Sequence, residues 1–413
     1  GAQDGDGDAM CCLGLCYELG TGVEQSWEKA VHWYRQAAEQ GNARAMGNLA
    51  WCYDNGKGVE RDVEESTRWY QRGAQAGDTR SMYSYAYCCE YGDGMEPDLE
   101  QAAHWYRQAA DRGEEGAMFR LGLLYERGEG VEQSWEQAAA WYQKAAEHGS
   151  PAGMGCLAWC YEHGAGTEKN LKESTRWYQR GAEAGSPRCM CDYGLHLLQG
   201  VGVRRQPEEA VRWLLRAEEQ GYSYAVFSLG WCSETGIGLP QDWGKAVERY
   251  QRAADLGEAS AMKNLGLCYE NGTGLPRDPK LAVQWYQKAA ELGHASAICL
   301  LGFCYKDGVG VSKDETRAAE LFRQAAELED PDAMCTLGWC FETGCGVAQD
   351  WSQAAEWYRK AAECGSGRAM GNLAWCYDHG KGVEQDSEEA TRWYQRGAEA
   401  GDKRSQTEAA KRN

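Results

Sequence analysis

The chain repeats a G-x-G glycine pair every 36 residues, with no insertion or deletion between repeats. All eighteen tryptophans follow this period: nine lie thirteen residues after the first glycine, five lie five residues before it, and four lie seven residues after it. The first glycines are Gly20, Gly56, Gly92, Gly128, Gly164, Gly200, Gly236, Gly272, Gly308, Gly344 and Gly380. A single compact core gives no reason for such regularity. A stack of identical units does, because every unit must pack against its neighbours in the same way.

Each unit has the pattern of a helical hairpin. In the second repeat, the apolar residues of Arg44–Asn55 recur at helical spacing, and Gly56 ends this helix because glycine accepts a positive φ. A second helix is predicted from about Asp62 to Gln75. The position of Ala50 is always Gly or Ala, which lets the two helices approach closely. The sequence therefore predicts an all-α fold, a right-handed α-solenoid of eleven helical hairpins with a C-terminal capping helix.

The ends of the array differ from its repeats. Residues 1–7 form a polar N-terminal lead-in, and the continuous solenoid is predicted over residues 8–401. Residues 402–413 begin a twelfth first helix that places Gln406 where the other repeats favour Met, and this segment carries four basic residues. A polar helix of this kind stops further stacking, so we interpret it as a C-terminal cap.

The segment Leu265–Gly293, LGLCYENGTGLPRDPKLAVQWYQKAAELG, resembles the Sel1-like repeat, a relative of the tetratricopeptide repeat. The resemblance extends over the whole array and implies a scaffold or adaptor for protein complexes. It leaves open a secreted, envelope or endoplasmic-reticulum protein that acts in quality control or host interaction through its outer face. In one secreted branch of that family, Cys-x7-Cys pairs join the hairpins. The matching positions here are Ala38 and Met46, so the resemblance does not extend to that branch.

Charge and cysteine usage restrict the class of partner and the compartment. The net charge of −20 disfavours nucleic acid, and no apolar run reaches the length of a membrane span. Nine of the nineteen cysteines share one position, four residues before the glycine pair, where Leu124 and His196 stand in the two other repeats. A site that accepts Cys or Leu suits a buried hydrophobe, so reduced thiols and a cytoplasmic location are expected. The chain begins with Gly1 and not Met, which leaves a removed signal peptide open.

One column of the first helices is a candidate binding surface. It lies five residues before the glycine pair and is never polar; its aromatic members are Trp51, Tyr87, Trp159, Trp231, Phe303, Trp339 and Trp375. The resemblance to tetratricopeptide arrays implies that this helix lines the concave, peptide-binding face. Two interpretations stay open: the column is buried between successive first helices, or it forms an apolar ladder along a groove. A further column, Trp27, Trp135, Trp243 and Trp351, is interpreted as packing and shared ancestry or as an outer docking face.

Polar side chains flank the aromatic column. An acidic column lies three residues after the aromatic column, and Asn48, Asn264 and Asn372 lie about one turn before the aromatic column. The following residues belong to the acidic column. Its members proposed for binding are Asp54, Glu90, Glu162, Glu234, Glu270, Glu342 and Asp378; Leu198 and Lys306 interrupt it. The acids either form a solvated helix face or meet a partner. In the second case, we expect a monomeric scaffold whose protein or peptide partner has basic and aromatic character.

The sequence contains no arrangement that indicates an enzyme. The seven histidines are scattered over different repeat positions, and the cysteines lack the four-ligand spacing of a zinc site. The glycine pairs end helices and do not follow strands, so they do not predict a nucleotide site. We therefore expect no catalytic residue, metal or cofactor.

Overall fold

A computed structural model of the chain describes residues 6–412. Within this range the chain forms 23 α-helices and no strand, which confirms the predicted all-α repeat fold. Most of the predicted lead-in, Gly1–Gly5, and the final residue Asn413 lie outside the described residues.

Two helices form each repeat. The first helices are α1 (Gly7–Leu19), α3 (Ala43–Asn55), α5 (Thr79–Tyr91), α7 (Glu115–Arg127), α9 (Pro151–His163), α11 (Pro187–Gln199), α13 (Ser223–Thr235), α15 (Ala259–Asn271), α17 (Ala295–Asp307), α19 (Pro331–Thr343) and α21 (Gly367–His379). The second helices are α2 (Trp27–Glu39), α4 (Val63–Gln75), α6 (Leu99–Ala110), α8 (Trp135–Glu147), α10 (Leu171–Glu183), α12 (Pro207–Glu219), α14 (Trp243–Asp255), α16 (Pro279–Glu291), α18 (Glu315–Glu327), α20 (Trp351–Glu363) and α22 (Ser387–Glu399). The final helix is α23 (Lys403–Arg412).

The helix boundaries follow from short polar caps and glycines. In the second repeat, Asn42 accepts a hydrogen bond from the Ala45 amide and begins α3, and Asp62 does the same for Glu65 at the start of α4. Gly56 ends α3 with φ of 61°, a left-handed conformation that glycine adopts without a steric cost. The predicted positions of both helices are confirmed to within one residue.

The chain divides into two compact units, one ending at Arg216 and the other beginning at Ala217. In each unit, consecutive hairpins stack and bury clusters of Ala, Leu, Met, Cys and Tyr side chains. Neighbouring first helices, such as α3 with α5 and α17 with α19, approach each other more closely than neighbouring second helices among the described residues. The first helices therefore lie on the inner side of each stack.

A small residue is required where the two helices of a hairpin cross. A Cβ atom added to Gly122 of α7 would lie 2.5 Å from the Tyr142 ring of α8, closer than carbon atoms approach one another. The same contact recurs at Gly266 with Tyr286. The column that is always Gly or Ala thus makes room for a large side chain from the second helix.

The last helix, α23, packs against α22 and α21. Asp402 caps it by accepting hydrogen bonds from the Ser405 amide and hydroxyl, and Gln406 is exposed at the position that is Met in other repeats. None of the described helices is long and apolar enough to span a membrane.

Candidate functional site

We call the surface formed by successive first helices the first-helix face, and the aromatic column lies on it. Trp51 is 41% exposed, and Tyr87, Trp231 and Trp339 are each 37% exposed. Trp159, Phe303 and Trp375 are half-buried. The column is therefore neither sealed between helices nor fully open: one part of each ring packs on the protein and the other part faces solvent.

Neighbouring aromatic rings pack against three members of the column. Ring centroids of Trp27 and Trp51 lie 5.7 Å apart, and the Trp135–Trp159 and Trp351–Trp375 pairs lie 5.4 Å and 5.6 Å apart. Three of the four tryptophans that lie seven residues after the glycine thus support the aromatic column of the following repeat, in agreement with the packing interpretation.

Histidines cover two of these rings further. His163 stacks on Trp159 and His379 stacks on Trp375, each at a centroid distance of 4.3 Å. Trp339 has no such aromatic cover among the described residues, and its only ring contact is the Lys306 ammonium 5.2 Å from the centroid.

The acidic column has a structural role that the sequence analysis missed. Seven of its glutamates accept a hydrogen bond from a tyrosine hydroxyl sixteen residues later, on the second helix of the same hairpin, at 2.5 to 3.2 Å. The pairs are Tyr34 with Glu18, Tyr106 with Glu90, Tyr142 with Glu126, Tyr178 with Glu162, Tyr250 with Glu234, Tyr286 with Glu270, and Tyr358 with Glu342. These carboxylates satisfy buried hydroxyls and are not a free solvated face.

The two interruptions of the acidic column support this role. In the hairpin that has Leu198 at the acid position, Leu214 occupies the tyrosine position. In the hairpin that has Lys306 at the acid position, Phe322 occupies the tyrosine position. Acid and hydroxyl are therefore lost together, as expected if each group is present to satisfy the other. Both substitutions could be read from the sequence, since each pair is separated by the same sixteen residues.

The remaining polar residues predicted for binding also have partners within the protein. Asp54 lies 4.0 Å from Arg61, and Asp378 accepts a hydrogen bond from Arg412. The amides of Asn48 and Asn372 contact the sulfur atoms of Cys11 and Cys335 at 3.9 Å and 3.7 Å. The Asn264 side chain lies beside the Tyr250 hydroxyl.

In the second unit, the first-helix face contains two adjoining pockets. One of about 240 Å³ is lined by Phe303, Lys306, Cys335, Thr336, Trp339, Arg368 and Asn372. The other, of about 340 Å³, is lined by Lys263, Leu267, Ser296, Cys299, Leu300, Phe303, Asp330, Asp332, Thr336 and Arg368. They share Phe303, Thr336 and Arg368, and we call the combined depression the α15–α21 groove. The groove brings together three predicted residues, Phe303, Trp339 and Asn372.

In the first unit, a separate pocket of about 240 Å³ lies beside Tyr87. Asp54, Thr67, Tyr70 and Tyr83 are among the side chains that line it. The aromatic column thus lines a recess in each unit.

The buried thiols are held in their protonated form. None of the nineteen cysteines, all of which lie in the described range, forms a disulfide, and most are buried. Burial raises the pKa of Cys52 and Cys340 to about 12, because the apolar surroundings disfavour the thiolate. In the described part of the chain, no group of three or more His, Cys, Asp or Glu side chains is arranged to hold a metal ion.

Comparisons with known proteins give a consistent relationship. The Sel1 repeat model matches residues 7–42, 43–78, 79–114, 116–150, 153–186, 187–222, 223–258, 259–294, 295–330, 331–366 and 367–402. The chain is similar to the crystal structure of a protective antigen from uropathogenic Escherichia coli strains with an SLR fold: identity is 32%, the TM-score is 0.68, and the match covers 98% of this chain and 88% of the antigen. A Sel1 repeat protein from Oxalobacter formigenes is 27% identical with a TM-score of 0.56, over 73% of this chain and 87% of its own. No curated protein sequence matches.

Proposed function

The chain belongs to the Sel1 repeat family, whose members are generally scaffolds for protein–protein interaction, and from this premise we propose that it binds a protein or peptide partner on its first-helix face and has no catalytic activity of its own. The observation that carries the proposal is the half-exposed aromatic column. Four of its large rings are more than a third exposed to water, on surfaces that also contain recesses. Exposed aromatic side chains beside pockets are typical of interaction sites, and burial of such rings supplies much of the binding energy.

The proposal is supported by the position of the column relative to the core. The rings lie on the inner side of each stack, where first helices of several repeats are close enough for one extended ligand to contact them in turn. Leu15, Leu123, Leu195 and Leu267 occupy the same column in other repeats. A hydrophobic residue of moderate size is therefore enough for packing, and the larger rings provide additional exposed surface.

The test compares two sets of three substitutions in the full chain. One variant carries Trp51→Leu, Trp231→Leu and Trp339→Leu, which introduce the residue that other repeats already have in this column. Affinity capture from lysate, followed by mass spectrometry, is expected to recover a partner with the wild-type chain and to lose it with this variant. Loss of one central tryptophan typically costs about 2 kcal/mol or more of binding free energy.

The matched control carries Trp33→Leu, Trp285→Leu and Trp357→Leu on the second helices, where Leu321 occupies the same column. Circular dichroism checks that both variants keep their helicity. Retention of the partner by the first variant and loss by the control would place binding on the second-helix face and overturn the proposal.

A further inference from the structure

Two lysines break the repeat pattern in consecutive repeats. The position of Lys263 is occupied elsewhere by uncharged residues: Cys11, Gly47, Tyr83, Phe119, Gly155, Cys191, Phe227, Cys299, Cys335 and Gly371. Lys306 is the only cation in the acidic column. The other repeats show which residues the fold itself needs at these positions, so neither lysine is explained by packing.

Both lysines line the α15–α21 groove. Lys263 lies in the larger pocket beside Leu267 and Phe303. The Lys306 ammonium lies in the adjoining pocket, 5.4 Å from the Phe303 ring centroid and 5.2 Å from that of Trp339. With Arg368, which lines both pockets, the groove therefore combines three cations with two aromatic rings that are partly open to solvent.

The charges of this groove are only partly neutralised by the protein. Among the described residues, no carboxylate lies within 4.0 Å of the Lys263 ammonium. Lys306 pairs with the exposed Asp307 at 3.2 Å, and it has no tyrosine opposite it because Phe322 stands there. Burial lowers the pKa of Lys263, since its half-buried ammonium loses hydration that no nearby acid fully replaces.

The acids that line the groove already have partners. Asp330 caps α19 by accepting from the Ala333 amide at 2.8 Å, and it also accepts from the Ser296 hydroxyl at 3.0 Å. Asp332 lies 3.7 Å from Arg368. Of the ionisable side chains that line the groove, three are basic, Lys263, Lys306 and Arg368, and two are acidic, Asp330 and Asp332. The lining therefore carries one net positive charge, in a chain whose net charge is −20.

We propose that the α15–α21 groove binds an acidic segment of a protein partner, with carboxylates placed at Lys263 and Lys306 and an apolar or aromatic side chain between Phe303 and Trp339. This inference rests on the proposed function and specifies its ligand. Its charge is opposite to that of the partner expected from the acidic column, most of whose members accept a hydrogen bond from a tyrosine hydroxyl. A locally positive groove on an otherwise acidic protein favours one docking position, since an acidic segment is repelled elsewhere.

The test measures binding of three fluorescein-labelled peptides to the full chain by fluorescence anisotropy at low salt. The peptides alternate Phe with Glu, Phe with Lys, or Phe with Ser. The wild-type chain is expected to bind the Glu peptide at least about tenfold more tightly than the Ser peptide, and more weakly as salt is added. The Lys peptide tests attraction by the overall negative charge.

The decisive variant restores the repeat pattern by combining Lys306→Glu with Phe322→Tyr, the pair found in seven other repeats. Because those repeats fold with the pair, this variant is expected to keep its helicity and to bind the Glu peptide at least about fivefold more weakly. The control is Lys288→Glu, which changes the net charge by the same amount on α16, where Lys288 lies 4.0 Å from the Trp285 ring centroid. The control is expected to bind as the wild type does.

Equal binding of the Glu peptide by the wild type and the Lys306→Glu, Phe322→Tyr variant would overturn the inference, as would tighter binding of the Lys peptide by the wild type. Neither result would overturn the proposed function, whose test is loss of a captured partner on removal of the three tryptophans. Loss of the captured partner with the tryptophan variant, together with no preference for the Glu peptide, would show that the face binds a ligand of different charge.

Discussion

Glu329 is a residue whose backbone conformation does not suit its side chain. Its φ is 60°, and it is the only described residue other than glycine with a positive φ. The equivalent position is glycine in the other ten repeats. A left-handed conformation costs an L-residue about 1–2 kcal/mol. We expect Glu329→Gly to raise the free energy of unfolding by about 1 kcal/mol, measured as a higher urea midpoint.

The reverse substitution at an equivalent site provides the control. Gly293 has φ of 75°, and a Cβ atom added there would meet no atom within 4 Å. Gly293→Glu is therefore expected to lower the midpoint by a similar amount through backbone strain alone. An unchanged midpoint in both variants would contradict the account of Glu329.

His196 occupies the cysteine column and gives the first unit a pH-dependent contact. Its Nδ1 lies 2.7 Å from the Thr175 hydroxyl, its Nε2 lies 3.5 Å from a Glu162 oxygen, and its ring contacts Tyr178 edge-on. Burial lowers the pKa of His196 below its ordinary value, because the imidazolium loses hydration. The folded protein then favours the neutral ring more than the unfolded chain does. The stability it contributes is present above the ordinary pKa near 6.5 and is lost as the pH falls below that value.

The variant His196→Cys restores the residue of nine other repeats. Thr67 shows that the threonine is accommodated beside a cysteine, since it donates to the Asp93 carbonyl at 2.8 Å as Thr175 donates to Val201. Between pH 7 and pH 5, we expect the wild type to lose more stability than the variant. Burial raises the pKa of Asp192 to about 6, so the contribution of Asp192 to stability increases as the pH falls. Asp192 is present in both proteins. Parallel pH profiles of the melting temperature would contradict this role of His196.

Within each hairpin, the tyrosine–glutamate pair joins the two helices. Tyr142 is fully buried, and its hydroxyl donates to Glu126 at 2.5 Å. Glu126→Leu leaves this hydroxyl without an acceptor, whereas Glu126→Leu combined with Tyr142→Phe removes both groups. We expect the double substitution to cost about 1.5–3 kcal/mol less than the sum of the two single substitutions, because a hydrogen bond to a charged group is strong and an unpaired buried hydroxyl is costly.

Native-state hydrogen exchange of the α7 and α8 amides measures this coupling locally. The matched control is Asp54→Leu with Tyr70→Phe in the second repeat. Among the hydrogen bonds of the described residues, none joins Asp54 to Tyr70, so the coupling there is expected to be near zero. Equal coupling at both hairpins would show that the hydrogen bond is not its source.

The hairpins themselves could be predicted from sequence because their signals are local. Apolar spacing, polar caps such as Asp62 and glycine ends such as Gly56 each act within about one helical turn, and they place α3 and α4 to within a residue. The role of Glu126 was missed because its partner Tyr142 lies on the other helix. An exposed-looking acid on one helix gives no sign of a hydroxyl that reaches it across the hairpin, unless columns from two helices are compared.

At the scale of the molecule, the structure divides the chain into two compact units, and in each unit a recess is lined in part by the aromatic column. Periodic sequence describes what all repeats share. The properties of a recess depend on the few residues that depart from the period, such as Lys263 and Lys306. Predictions about shared packing therefore succeeded, whereas the charge of the partner is argued from residues that depart from the period.

The first unit contains two aromatic rings at the repeat positions of Phe303 and Trp339, but it has no lysines at the positions of Lys263 and Lys306. Trp51 and Tyr87 lie 252 residues before Phe303 and Trp339, at the same repeat positions, and Cys11 and Asp54 stand where Lys263 and Lys306 would be. Both rings are more than a third exposed. If the lysines determine ligand charge, introducing them here should create a second site.

We therefore expect a variant with Cys11→Lys, Asp54→Lys and Tyr70→Phe to bind two equivalents of the alternating Phe–Glu peptide where the wild type binds one, as measured by isothermal titration calorimetry at low salt. The phenylalanine reproduces Phe322, which avoids leaving a tyrosine hydroxyl opposite the new lysine. The second site is expected to disappear when Trp51→Leu is added, because cations alone do not supply the apolar contact. A stoichiometry that stays at one would mean that the lysines are not sufficient, and that ligand charge is set by other residues of the α15–α21 groove.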